Sequence, residues 1–141
     1  MHHKIPDGVY SIELPHGNSA ITDSGEGHWL NLMHPGDLGK DADKIEVKYN
    51  DSHGAYSFKF KASKKYITFN GQPSMNNKLL TGDKPRYFKI AQHEQYPEQY
   101  VIYVAENIHY HLAIALERIY PPWVAMELTP EKQPWDFKKH D

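Results

Sequence analysis

One stretch of the sequence occurs twice. Residues 8–25, GVYSIELPHGNSAITDSG, align without a gap with residues 54–71, GAYSFKFKASKKYITFNG. Six of the 18 positions are identical: Gly8/Gly54, Tyr10/Tyr56, Ser11/Ser57, Ile21/Ile67, Thr22/Thr68 and Gly25/Gly71. Background composition gives about one identity over such a length. A fainter third copy begins near Tyr100, with Tyr100-Val101-Ile102-Tyr103-Val104 followed by His109-Tyr110-His111-Leu112-Ala113-Ile114. Each copy closes in a similar run, at 43–48, 85–90 and 134–138. The period is about 46 residues, and three periods fill the 141-residue chain. A unit of that length cannot bury its apolar face alone, so the copies must share one core.

Each copy holds four short runs in which β-branched and aromatic residues alternate with polar ones and stop at Gly, Pro, Asn or Asp. The first copy gives 8–14, 19–23, 28–33 and 44–49; the second 55–61, 65–70, 78–82 and 86–92; the third 99–105, 109–116, 123–128 and 134–138. The run from 109 resembles a helix most, but its aromatic content and its place in the repeat make it a strand. Three units of four strands predict an all-β fold, a β-trefoil, in which six strands form a barrel and three hairpins cap it. One domain covers 1–141. Tyr10, Ile12, Ile45, Tyr56, Phe58, Phe88, Ile102, Leu112 and Trp135 are the expected core. The alternative is another β-barrel or sandwich.

Composition narrows the function. Lys plus Arg is 16 and Asp plus Glu is 18, a net charge of −2 that offers no basic footprint for nucleic acid. Ten histidines would reverse the sign in an acidic compartment. With no cysteine, disulfides, thiol catalysis and Cys-based zinc sites are excluded. The first residues lack an apolar core and no stretch approaches membrane-spanning length, so the expectation is a soluble cytoplasmic protein with no membrane partner.

No motif demands catalysis or a cofactor. In a strand, His109 and His111 would share a face and could share an ion, but no third ligand follows from spacing. Half-buried structural histidines are the plainer account, and His2-His3 reads as a terminus. Gly25-Glu26-Gly27 and His34 through Gly39 are not GxGxxG and open no helix. No Ser/His/Asp order stands out, so no enzyme is expected. Gln133-Pro134-Trp135 matches the Q-x-W motif of ricin-B-type lectins, and this Trp is expected to support the core.

The loops carry more. They are Leu14 through Asn18, Met33 through Asp43, Ala62 through Lys65, Asn70 through Asn77 and Arg118 through Pro122. Loops on a rigid barrel are common binding elements; Pro stiffens them, which lowers the entropy cost of docking, and Gly lets the backbone approach a partner closely.

The opening Asp7-Gly8-Val9-Tyr10-Ser11-Ile12, the Tyr66-Ile67-Thr68 strand and the closing Gln133-Pro134-Trp135-Asp136-Phe137 resemble the cysteine-free fungal β-trefoil protease inhibitors, the mycocypins and their serine-protease-inhibiting relatives. Trefoil lectins and fascin-like proteins share these motifs. The resemblance implies that two neighbouring loops wedge into a papain-like cleft: Pro15, His16, Gly17 and Asn18, with His34, Pro35, Gly36, Asp37 and Leu38. Gly17 would be required because a side chain there would meet the protease wall. A third loop would engage a second protease class. Lys64 and Lys65 stand there in place of the asparagine that suits legumain, and they would suit a trypsin-like protease. Asn70 and Asn76-Asn77 follow nearby. The first expectation is therefore reversible protease inhibition. Carbohydrate binding is the alternative, favoured if Trp29 or Trp123 is exposed beside a carboxylate. An interaction module for another protein is the third.

Overall fold

A computed structural model of the chain describes residues 5–140. Twelve strands follow in order: β1 (Gly8–Glu13), β2 (Ala20–Thr22), β3 (Asn31–Met33), β4 (Ile45–Asn50), β5 (Ala55–Phe60), β6 (Tyr66–Thr68), β7 (Leu80–Gly82), β8 (Phe88–Gln92), β9 (Tyr100–Val104), β10 (His111–Ile114), β11 (Val124–Glu127) and β12 (Asp136–Lys139). Each lies within a predicted run or a residue beyond it, four to a repeat. No helix among the described residues is long and apolar enough to cross a membrane. His2 and His3 lie outside the described residues.

Six strands close a barrel. β1 pairs β4, β4 pairs β5, β5 pairs β8 and β8 pairs β9, all antiparallel. A Tyr100–Trp135 bridge links β9 to the approach of β12, and β12 returns to β1 in the register Ile12↔Phe137. The other six form the hairpins β2–β3, β6–β7 and β10–β11. This is the β-trefoil that the repeat predicts.

The three hairpins meet in a cyclic set of backbone hydrogen bonds. Leu30 N–H donates to Leu79 O (2.9 Å), Leu79 N–H to Val124 O (3.0 Å) and Val124 N–H to Leu30 O (3.1 Å). The ring fixes which residues of the repeats are equivalent. It also explains the shortening of the 28–33 run to Asn31–Met33, since Trp29 and Leu30 bond across the axis instead of along their hairpin.

The period-2 pattern delivers the core. All nine expected residues are buried, joined by Leu30, Leu32, Phe60, Leu79, Val124 and Met126. Trp135 is fully enclosed, and its Nε1–H donates to Leu112 O at 3.1 Å. The Q-x-W tryptophan is thus a core residue.

The His109/His111 pair is not assembled. His109 precedes β10 in an exposed turn, so strand alternation does not apply to it. His111 is buried opposite Glu127 on β11. Its Nε2–H donates to Thr129 O (3.1 Å), leaving Nδ1 as an acceptor. That Nδ1 and both Glu127 oxygens have no hydrogen-bond partner among the described residues. Burial pushes the Glu127 carboxyl above its usual range. Burial, with Lys132 nearby, pulls the His111 imidazole down, although the bond to Thr129 opposes this. Both groups therefore favour the neutral form.

The two have opposite pH signs. Glu127 contributes stability below its unfolded value of 4.5 that is lost as pH rises through the folded value. His111 contributes above 6.5 and loses it as pH falls. Glu127→Gln removes only the first effect. Thermal melts from about pH 4 to pH 8 should show the variant more stable than wild type at the alkaline end, by about 1 kcal/mol or more, with the difference vanishing at the acid end.

Candidate functional site

The hydrogen-bonded ring places three equivalent residues at the apex of the cap: Trp29, Lys78 and Trp123. Each bridges to the next repeat, Trp29 to Leu80, Lys78 to Ala125 and Trp123 to Asn31. The indoles of Trp29 and Trp123 meet edge to face, centroids 4.6 Å apart at 87°. Lys78 Nζ sits 4.8 Å from the Trp29 ring centre and 5.9 Å from that of Trp123. The same ammonium donates to Glu117 Oε2 at 2.7 Å, and Asn76 Nδ2 donates to both carboxylate oxygens. These bonds hold the Glu117 carboxyl below its usual range. Trp29 remains 41% exposed and Trp123 is half-buried.

Beside Trp29 opens a cleft of about 490 Å³, walled by Ser24, His28, Asn31, Leu38 and Trp123. Asn31 is fixed on three sides. Its Nδ2 donates to Pro121 O (3.0 Å) and Pro122 O (3.3 Å), and its Oδ1 accepts from Ser24 Oγ (2.6 Å). Asp23 stands next to Ser24. Its N–H donates to Ala42 O, and its Oδ1 accepts from Gly25 N–H at 2.9 Å. Gly25 has φ +101°, a left-handed turn that a side chain would strain.

Equivalent positions in the other repeats lack these groups. Asp23 corresponds to Phe69 and Ile114, and Asn31 to Leu80 and Ala125. In the second repeat Arg86 covers the place, its guanidinium 3.8 Å from the Phe69 ring centre. Arg86 also donates to Phe69 O and Gly71 O and pairs with Glu106. The first repeat alone combines an exposed indole with a carboxylate and an amide. An aromatic ring beside rigid polar groups suits an uncharged molecule with one apolar face and several hydroxyls.

The loops singled out from the sequence divide into two places. Asn18 Nδ2 and His34 Nε2 are 2.7 Å apart, so 15–18 and 34–38 are neighbours. Leu38, 47% exposed, reaches the Trp29 cleft, while Pro15 and His16 face another groove, beside the 95–99 and 131–134 loops. Pro35, Gly36 and Asp37 continue the turn, closed by Asp37 N–H to His34 O. The left-handed residues of the first loop are His16 (φ 61°) and Asn18 (φ 53°), not Gly17. A Cβ on Gly17 would meet Leu14 Cβ at 3.3 Å, so its own loop calls for the glycine there. Lys64 and Lys65 occupy the same loop of the second repeat, where Lys64 matches Asn18 and is also left-handed. Lys65 pairs with Asp83 at the base of the second cap hairpin, where β6 begins and β7 ends.

Sequence reasoning named Trp29 and Trp123 only as possible platforms. It missed Lys78 between them and missed Tyr96 altogether. The first was recoverable from the repeat, because 29, 78 and 123 each precede an apolar residue on the axis.

The Trp29–Trp123 contact yields a prediction. Trp123→Ala should remove the exciton feature that two close indoles give in circular dichroism, as should Trp29→Ala. Loss of the edge-to-face term should add about 0.5–1.5 kcal/mol to the cost of the lost burial. An unchanged spectrum in either variant would contradict the apex geometry.

No family model and no curated protein sequence matches the chain. Solved structures do. The Macrolepiota procera ricin B-like lectin, in complex with lactose, superposes with a TM-score of 0.82 at 18% identity, covering 98% of this chain and 100% of the lectin. The Rhizoctonia solani agglutinin gives 0.82 at 13% identity, covering 99% and 100%. SeviL, bound to asialo-GM1 saccharide, gives 0.69 at 12%, covering 96% and 100%. At such identities the likeness is one of fold: the chain shares the β-trefoil of these structures over nearly its whole length.

Proposed function

We propose that this protein binds carbohydrate through the first-repeat cleft. The observation that carries the reading is the exposed Trp29 indole, held rigid by Trp123 and Lys78, in a cleft walled by Ser24, His28 and Asn31, with Asp23 next to Ser24 in the chain. A sugar ring would lay its C–H face on the indole. Its hydroxyls, each donor and acceptor, would bond to the Asp23 carboxylate and His28. The lactose and asialo-GM1 saccharide bound by proteins of the same fold make glycans the first ligands to try.

Binding should be visible on a glycan array, and as a shift of tryptophan fluorescence on titration with the best array ligand. Trp29→Ala and Asp23→Asn should each weaken binding about tenfold or more while the far-ultraviolet dichroism keeps its β signature. Absence of any array ligand, or wild-type affinity in Trp29→Ala, would sink the proposal.

A second reading keeps the 15–18 and 34–38 loops as a protease-binding ridge, because the Asn18–His34 bond joins them. It supposes reversible occlusion of a papain-like cleft. Titration of papain near pH 6 tests it directly: stoichiometric loss of activity supports the ridge, and full activity at micromolar protein excludes it.

A further inference from the structure

A second depression lies away from the Trp29 cleft. It is a groove of about 930 Å³. One wall is the β8–β9 loop, with Tyr96, Glu98 and Gln99; the other is the β11–β12 loop, with Glu131, Lys132 and Gln133. The repeat does not demand it. The equivalent turn between β4 and β5 spans only residues 51–54, whereas the β8–β9 connection runs from 93 to 99. The added length builds a wall that the second barrel hairpin has and the first lacks.

That wall is braced. His93 is only 7% exposed. Its Nδ1 accepts from Gln95 N–H (3.0 Å) and Tyr96 N–H (3.3 Å), so the proton resides on Nε2, which donates to Lys132 O at 2.9 Å. One buried imidazole thus bonds both walls at once. Its ring also lies 5.0 Å from that of Tyr96. Gln92 Nε2 donates to Pro97 O (2.7 Å), and Gln99 N–H donates to Tyr96 O (2.8 Å). Tyr96 is nonetheless 52% exposed, held ready by its backbone while its ring faces solvent.

From this arrangement we infer a second saccharide site, centred on Tyr96 and independent of the Trp29 cleft. It rests on the carbohydrate reading proposed above and extends it to two sites per chain. The groove combines one exposed ring for an apolar C–H face, two carboxylates that can accept from vicinal hydroxyls, and glutamine amides that both donate and accept. Glu98 and Glu131 outnumber the one ammonium, Lys132, and His16 also borders the groove, so its fixed charge does not favour an anionic ligand. His93 acts as a positioning residue that keeps the walls at a fixed separation and lowers the ordering cost of binding.

The experiment is amide shift mapping of the ¹⁵N-labelled chain with lactose, N-acetylglucosamine and mannose in turn, at about 10 mM, tenfold above a millimolar Kd. The expected result is that at least one sugar shifts the 95–99 and 131–134 amides. These shifts should persist in Trp29→Ala and weaken about tenfold or more in Tyr96→Ala, with spectral dispersion unchanged. His93→Gln should weaken the same site while leaving shifts around Trp29 intact. Shifts confined to the surroundings of Trp29 would overturn the second site and leave the first standing. Shifts confined to the Tyr96 groove would do the reverse. No shift at either place with any sugar would overturn both.

Discussion

Everything above the barrel hangs on three backbone hydrogen bonds, Leu30 to Leu79, Leu79 to Val124 and Val124 back to Leu30. Each cap hairpin is too short to be stable by itself. The cyclic bonds let each hairpin satisfy its neighbour's polar groups where no water reaches, and the buried Leu30, Leu79 and Val124 side chains seal the same place. The ring therefore requires apolar residues at its three positions, and Leu30, Leu79 and Val124 meet that requirement.

Because the ring carries the threefold architecture, the residues around it are free to differ. Trp29, Lys78 and Trp123 are the clearest case. Three tryptophans would have made a symmetric apolar apex; the lysine converts it into a pair of indoles around a cation, itself paired with Glu117. The same freedom leaves Asp23 and Asn31 in the first repeat, Phe69 under Arg86 in the second, and Ile114 and Ala125 in the third. One geometry thus supports an open polar cleft in one repeat and a filled one in another.

The fold was legible because its information is repeated. Gly8/Gly54, Tyr10/Tyr56 and Ile21/Ile67 set the period, and alternation set the buried faces, so Ile12, Phe58 and Ile102 could be placed in one core without coordinates. The places that were not legible are contacts between loop residues, or across strands, that the alternation along one strand does not relate. The resemblance made neighbours of the loops that Asn18 and His34 join, but nothing in the spacing joins His93 to Lys132 across 39 residues. His111 illustrates the same limit: strand alternation paired it with His109, but β10 begins only at His111, and the partner that faces it is Glu127 on another strand. The close approach of Gly17 to Leu14 within its own turn is likewise absent from the spacing.

Closure of the barrel also has a consequence in time. β1 pairs with both β4 and β12, and Ser11 bonds His140 across 129 residues of chain. During synthesis the edge of β1 that will meet β12 stays unpaired until Asp136–Lys139 has emerged, and the Trp135 indole cannot reach Leu112 much before then. Non-local pairing of this kind slows folding and leaves a strand edge open to stray partners in the interval. The last turn of the repeat is thus the step at which a growing chain becomes a barrel.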